Sequence, residues 1–226
     1  MINRRWRIGI DLDNTIVCLD PVFTKVASEL GLGDFNGCDK VTVKTILTGI
    51  GERKGKESGK GSVLWQALQG QVYSSYYHLA KPFSGSLDSV KCWISSGLAD
   101  IFIVSHKTRV GHQDEKKTSL HDVAFKWLET SGFVGDLLIP PGQVYFEETQ
   151  ELKVSRISDL GCDIFIDDLP ELLMRHDFPC EVVPLLFDPG NHYSYSDFPG
   201  ARFFEWKQME LFVSRYLRGC LQNKVD

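Results

Sequence analysis

The sequence predicts an α/β protein built on an open, three-layer parallel sheet with a small helical insert after the first strand. Three observations predict it. Short, wholly apolar runs of strand length recur along the chain, and stretches with helical spacing of apolar residues separate them. Between residues 21 and 81 this alternation lapses into helical patterns without a buried strand. Strands apolar on both faces require helices on both sides. That favours a parallel sheet, with ligand chemistry beyond the carboxyl ends of its strands.

The first strand is Arg7-Ile-Gly-Ile10, followed at once by Asp11 and Asp13. In the insert, Ala27 and Leu30 mark a first helix, and Val63, Leu64, Ala67, Leu68 and Val72 form another apolar stripe. Its aromatic residues Trp65, Tyr73, Tyr76 and Tyr77 read mainly as the insert's own core. Residues 51–61 are polar and glycine-rich and read as a loop. They miss the phosphate-binding P-loop, because three residues separate the outer glycines Gly55 and Gly59 and Gly61 follows Lys60 where a hydroxyl residue is required.

Beyond the insert, Leu87, Val90 and Ile94 share a helical face that stops at Gly97. A second strand follows at Ile101–Val104. Leu120, Val123, Ala124, Trp127 and Leu128 make the next helix, with Thr118 and Ser119 as cap candidates and Gly132 at its end. Further strands are Val144–Phe146, Ile164–Ile166 and Val182–Phe187, and a last helix carries Trp206, Met209, Phe212, Val213, Tyr216 and Leu217. The expected division is a core of residues 1–20 and 82–226 and an insert of residues 21–81.

With 226 residues, 42% hydrophobic and 24% charged, the chain is long enough for one core plus an insert. The net charge of −5 provides no cationic field for a polyanion, so a small ligand is expected and nucleic acid is not. The six cysteines form no C-x-x-C pair, which fits free thiols in a reducing compartment. The basic amino terminus runs too soon into Asp11 and Asp13 for a signal peptide, and no apolar run is long enough to span a membrane. A cytoplasmic protein without membrane partners is expected; the oligomeric state stays open.

The chemistry gathers at strand ends. Side chains alternate along a strand, so Asp11 and Asp13 leave on one side as a carboxylate pair, which a cation such as Mg²⁺ would neutralise. Ser105, His106 and Lys107 follow the second apolar run, and Asp167 and Asp168 follow Ile164–Ile166. Taken singly, each has a plain reading. Asp-x-Asp also occurs as strand-end capping and in sugar-nucleotide transferases, Ser105 suits a turn, His106 a loop, and Asp168 could cap a helix begun by Pro170.

In combination, the order Asp11-x-Asp13-x-Thr15, Ser105, Lys153, Asp167-Asp168 resembles the four signature motifs of the haloacid dehalogenase (HAD) superfamily, over residues 6–20 and 82–190. The resemblance implies a Rossmann-like HAD core with a small α-helical cap, and a magnesium-dependent phosphatase acting on a small phosphorylated metabolite. On that reading Asp11 is the nucleophile that becomes an aspartyl-phosphate, and Asp13 the general acid and base. Ser105 and Lys153 bind the phosphoryl oxygens, with His106 and Lys107 adding positive charge for the substrate. Asp11, Asp13 through its backbone carbonyl, Asp167 and Asp168 hold Mg²⁺. Lys126 is the rival of Lys153. Asp13 points to phosphate esters, since the dehalogenase branch lacks an acid there. A phosphomutase or phosphotransferase on the same fold, and a non-catalytic phosphate-binding or receiver-like module, are the alternatives.

Overall fold

The structure, a computed structural model, describes residues 4–49, 60–111, 118–135, 138–193 and 198–219. The apolar runs form strands β1 (Trp6–Ile10), β4 (Ala99–His106), β5 (Val144–Glu147), β6 (Ile164–Asp167) and β7 (Val183–Phe187). Strand β8 (Ala201–Phe203) joins them, and β2 (Val17–Cys18) pairs with β3 (Lys81–Pro82) as a separate two-stranded ribbon. The main sheet has the order β5-β4-β1-β6-β7-β8, and every neighbouring pair is parallel. The helices are α1 (Asp20–Glu29), α2 (Lys40–Gly49), α3 (Lys60–Tyr73), α4 (Ser86–Ser95), α5 (Leu120–Thr130), α6 (Gln150–Asp159), α7 (Pro170–Leu173) and α8 (Trp206–Leu217). The chain thus has an α/β, Rossmann-like architecture.

Strand alternation divides the core into two layers. On one face Phe102, Val104, Phe165 and Leu186 pack with Val154 and Ile157 of α6 and Leu172 and Leu173 of α7. On the other, Phe187 meets Trp206 of α8, which lies against Trp93 of α4. Helix α4 buries Ser86, Ser89, Val90 and Trp93, a face rotated from the expected Leu87, Val90 and Ile94. The two serines can be buried because their hydroxyls donate to Phe83 O and Gly85 O, 2.7 Å each. Central strand β1 uses its glycine for a close approach. A Cβ on Gly9 would lie 2.5 Å from Cδ2 of Phe165 and 3.1 Å from Sγ of Cys162.

The expected helix boundaries recur in the structure. Gly97 (φ +71°) and Gly132 (φ +79°) adopt the left-handed conformation after α4 and α5, and Ser119 Oγ accepts from Asp122 N at the start of α5 (3.2 Å). Strand β8 was not foreseen. It is three residues long, only Phe203 in it is buried, and it stands at the sheet edge, so it carries little of the apolar signal that marks the inner strands.

The chain divides into two compact units. One comprises Met1–Val17, Pro82–Lys107 and Leu128–Asp226 and contains the six-stranded sheet. The other comprises Cys18–Lys81 and Thr108–Trp127, with α1, α2, α3 and most of α5. Within the second unit an aromatic core forms: Phe23 stacks on Trp65 at 5.2 Å, Tyr73 meets Tyr77, and Tyr77 lies edge-on to Trp127. The Trp127 indole donates to Ala80 O at 2.8 Å. The polar stretch compared above with a P-loop lies largely outside the described residues. Among the described residues no helix is long and apolar enough to cross a membrane.

Candidate active site

Parallel pairing brings the strand ends to one edge of the sheet. Ile10 of β1 stands opposite Ile166 of β6 and Ile103 of β4, so the residues that follow each strand emerge together. Asp11 extends the ladder, its N–H donating to Ile166 O (2.9 Å). Asp167 closes β6 and is fully buried, and Ser105, also buried, sits near the end of β4 opposite Phe146.

Lys153 comes from a helix. Thr149 caps α6 by accepting from Leu152 N (3.2 Å), which sets Lys153 in the first turn on the face that also buries Val154 and Ile157. That face looks onto the sheet, and the Lys153 stem lies there only 2% exposed. Its Nζ donates to Asp11 Oδ1 and to Asp167 Oδ2, 2.6 Å each, and sits 5.4 Å from the centre of the Phe165 ring. Lys126, its rival in the sequence, is exposed on α5.

Asp13 lies beyond the ladder on a turn in which Asn14 N donates to Val17 O (2.8 Å) and Asn14 takes the left-handed conformation (φ +60°). Its Oδ2 accepts from Nζ of Lys107 (2.6 Å), itself a buried side chain. Lys107, expected to face a substrate, is therefore engaged by Asp13. His106 is exposed at the end of β4, and its Nε2 donates to Glu148 O (3.1 Å), turned toward the β5 edge. Asp168 does not cap the following helix. The cap position falls on Leu169, whose N–H donates to Oδ1 of Asp167 (2.9 Å).

The side chains of Asp11, Asp167 and Asp168 each offer a carboxylate oxygen, all within 4.8 Å of one another. The carboxylate of Asp13 is not in this set. An oxygen-only donor set suits a hard cation such as Mg²⁺. Formal charge agrees, because the three carboxylates of the cluster set against the one ammonium of Lys153 leave two negative charges for a dication, Lys107 being paired with Asp13. The same excess acts on Asp11. Burial, with Asp167 and Asp13 nearby, raises its pKa from 3.8 to about 6 against the opposing pull of Lys153. Burial works against the charge on Lys153, but Asp11 and Asp167 outweigh it and hold the ammonium above its ordinary range.

One further strand-end acid, Asp188, follows β7. It is buried, but it serves its own loop, accepting from the N–H groups of His192 and Tyr193 (2.9 and 3.1 Å) and pairing with Arg202 (2.6 Å). The apolar run preceding it was the available signal.

No protein-family model matches the sequence, and no curated protein matches it. Solved structures do match in fold. The HAD-type protein YfnB of Bacillus subtilis, solved bound to magnesium, is 11% identical and superposes with a TM-score of 0.58 over 93% of this chain and 99% of its own. A haloacid dehalogenase-like protein of unknown function from Agrobacterium tumefaciens is 13% identical, with a TM-score of 0.54 over 94% of this chain and 99% of that one. A HAD family hydrolase from Deinococcus radiodurans, with bound phosphate and sodium, is 13% identical, with a TM-score of 0.52 over 96% and 97%. The chain has the fold of the HAD-superfamily hydrolases.

Proposed function

We propose that this protein is a magnesium-dependent phosphatase that hydrolyses a small phosphate monoester through an aspartyl-phosphate on Asp11. One observation carries the reading: a buried lysine, Lys153, bridges Asp11 and Asp167 at 2.6 Å, beside a three-carboxylate cluster and with Asp13 two residues from Asp11. Phosphoryl transfer asks for positioned charge more than for covalent chemistry, and these groups supply it. The magnesium and the phosphate in two of the structural matches support the same reading.

In the first step a carboxylate oxygen of Asp11 attacks phosphorus, the new O–P bond forms as the ester O–P bond breaks, and Asp13 protonates the leaving alkoxide. In the second, Asp13 takes a proton from water as the water oxygen bonds to phosphorus and the Asp11–phosphorus bond breaks. Both groups return to their starting forms and inorganic phosphate leaves. Ser105 and Lys153 hold the phosphoryl oxygens. Asp11, Asp167, Asp168 and the backbone carbonyl of Asp13 would hold Mg²⁺, which when bound neutralises charge on the phosphoryl group.

The test is phosphate release from a panel of phosphorylated sugars, nucleotides, amino alcohols and glycerol derivatives, with and without EDTA. Selective release is expected, reversible loss in EDTA with recovery on adding Mg²⁺, and loss in Asp11→Asn. An active Asp11→Asn variant would remove the nucleophile from the mechanism.

A further inference from the structure

We propose that Lys107 is the positioning residue for Asp13, clamping its carboxylate where it exchanges a proton with the substrate; this rests on the phosphatase reading above. Asp13 needs such a restraint. It follows the end of the β1 ladder on a turn whose next residue is left-handed, so the sheet that aims Asp11 does not aim Asp13. Its side chain is 14% exposed and its Oδ2 meets the Lys107 ammonium at 2.6 Å.

Lys107 is built for that contact. A lysine just past a strand end ordinarily extends its head into water, yet this side chain is 3% exposed. Burying an ammonium costs free energy that only a well-placed anion offsets; Asp13 supplies that anion in its base form, and in its acid form Lys107 still holds Oδ2 while Oδ1 carries the proton. Its backbone is fixed as well, with Lys107 N donating to Glu147 O at 2.8 Å. The carboxylate of Glu147 is held in turn by Arg156 at 2.7 Å. Lys153 is occupied with Asp11 and Asp167. The two buried lysines therefore divide the work, Lys153 serving the nucleophile and Lys107 the acid–base group.

This role differs measurably from phosphate binding and from a purely structural ion pair. Protonation of the leaving group matters for a weakly acidic phenol and little for a nitrophenol. The comparison uses kcat/KM on phenyl phosphate and para-nitrophenyl phosphate with Mg²⁺, because kcat/KM reports the steps up to formation of the aspartyl-phosphate. Lys107→Met is expected to lower it about 100-fold on phenyl phosphate and less than about 10-fold on para-nitrophenyl phosphate. Equal losses on the two substrates, or a rise in KM with kcat intact, overturn the proposal. Adding Lys107→Met to Asp13→Asn removes both charges, leaves no orphaned carboxylate, and keeps the test usable if the single variant does not fold. The double variant is expected to match Asp13→Asn within about 2-fold on phenyl phosphate, since a misaligned and an absent acid are equally idle; a further loss overturns the proposal. Failure of the wild-type protein to release phosphate from these two compounds and from every member of the metabolite panel overturns the phosphatase reading and this proposal with it, whereas wild-type release with equal losses in Lys107→Met overturns this proposal alone.

Discussion

Replacing Lys153 by methionine keeps the length of the stem and removes the charge. At 2.6 Å and an effective dielectric of ~20, each of its two ion pairs has a gross Coulomb energy of about 6 kcal/mol. Desolvating the ammonium consumes several kcal/mol of that, so the net worth of the bridge is far below the gross sum. The substitution also strands two carboxylates in a site where Asp167 is 0% and Asp11 5% exposed. Breaking a buried pair in this way costs roughly 3–5 kcal/mol, which for a chain of this size corresponds to a fall in Tm of roughly 6–20 °C. The assay is urea unfolding in EDTA of the wild type, Lys153→Met and the double variant Lys153→Met/Asp11→Asn. The double variant removes one stranded charge and is expected to recover a good part of the loss. Saturating Mg²⁺ is expected to narrow the gap between Lys153→Met and wild type, because the cation compensates the same carboxylates. A Lys153→Met protein within about 1 kcal/mol of wild type in EDTA, or a double variant no more stable than the single, would refute the reasoning.

The remaining predictions concern pH and packing. The folded pKa of Asp11 lies above its unfolded value, so without metal its contribution to stability is present below about pH 3.8 and is lost as pH rises to about 6. Unfolding in EDTA should show stability falling across that window by roughly 1–3 kcal/mol, a fall absent in Asp11→Asn, while Mg²⁺ binds more tightly as pH rises through it. Gly9→Ala forces a Cβ against the Phe165 ring in the central strand and is expected to destabilise by about 1–3 kcal/mol, read from the urea midpoint.

Most of the sheet was legible because its inner strands are buried on both faces and the code for that is a simple apolar run. The parallel order followed from the helices between them. The edge strand β8 was not legible, since half-exposed residues such as Arg202 erase that code. In α4 a heptad-like count of leucine, valine and isoleucine missed the rotation of the buried face, because Ser86 and Ser89 satisfy their hydroxyls on nearby carbonyls and become buriable.

Which chemical groups stand at the strand ends is a property of the sequence alone: Asp11, Asp13, Ser105, Asp167 and Asp168 each follow or close an apolar run, and a parallel sheet must gather such residues at one edge. Their pairing is not. Lys153 and Asp167 are 14 residues apart, and Lys107 and Asp13 are 94 apart. Nothing local to any of these residues announces its partner. A buried charge takes the nearest opposite charge that the fold delivers, and only the packing of α6 on the sheet and the turn after β1 decided that Lys153 would bridge Asp11 and Asp167 while Lys107 would hold Asp13.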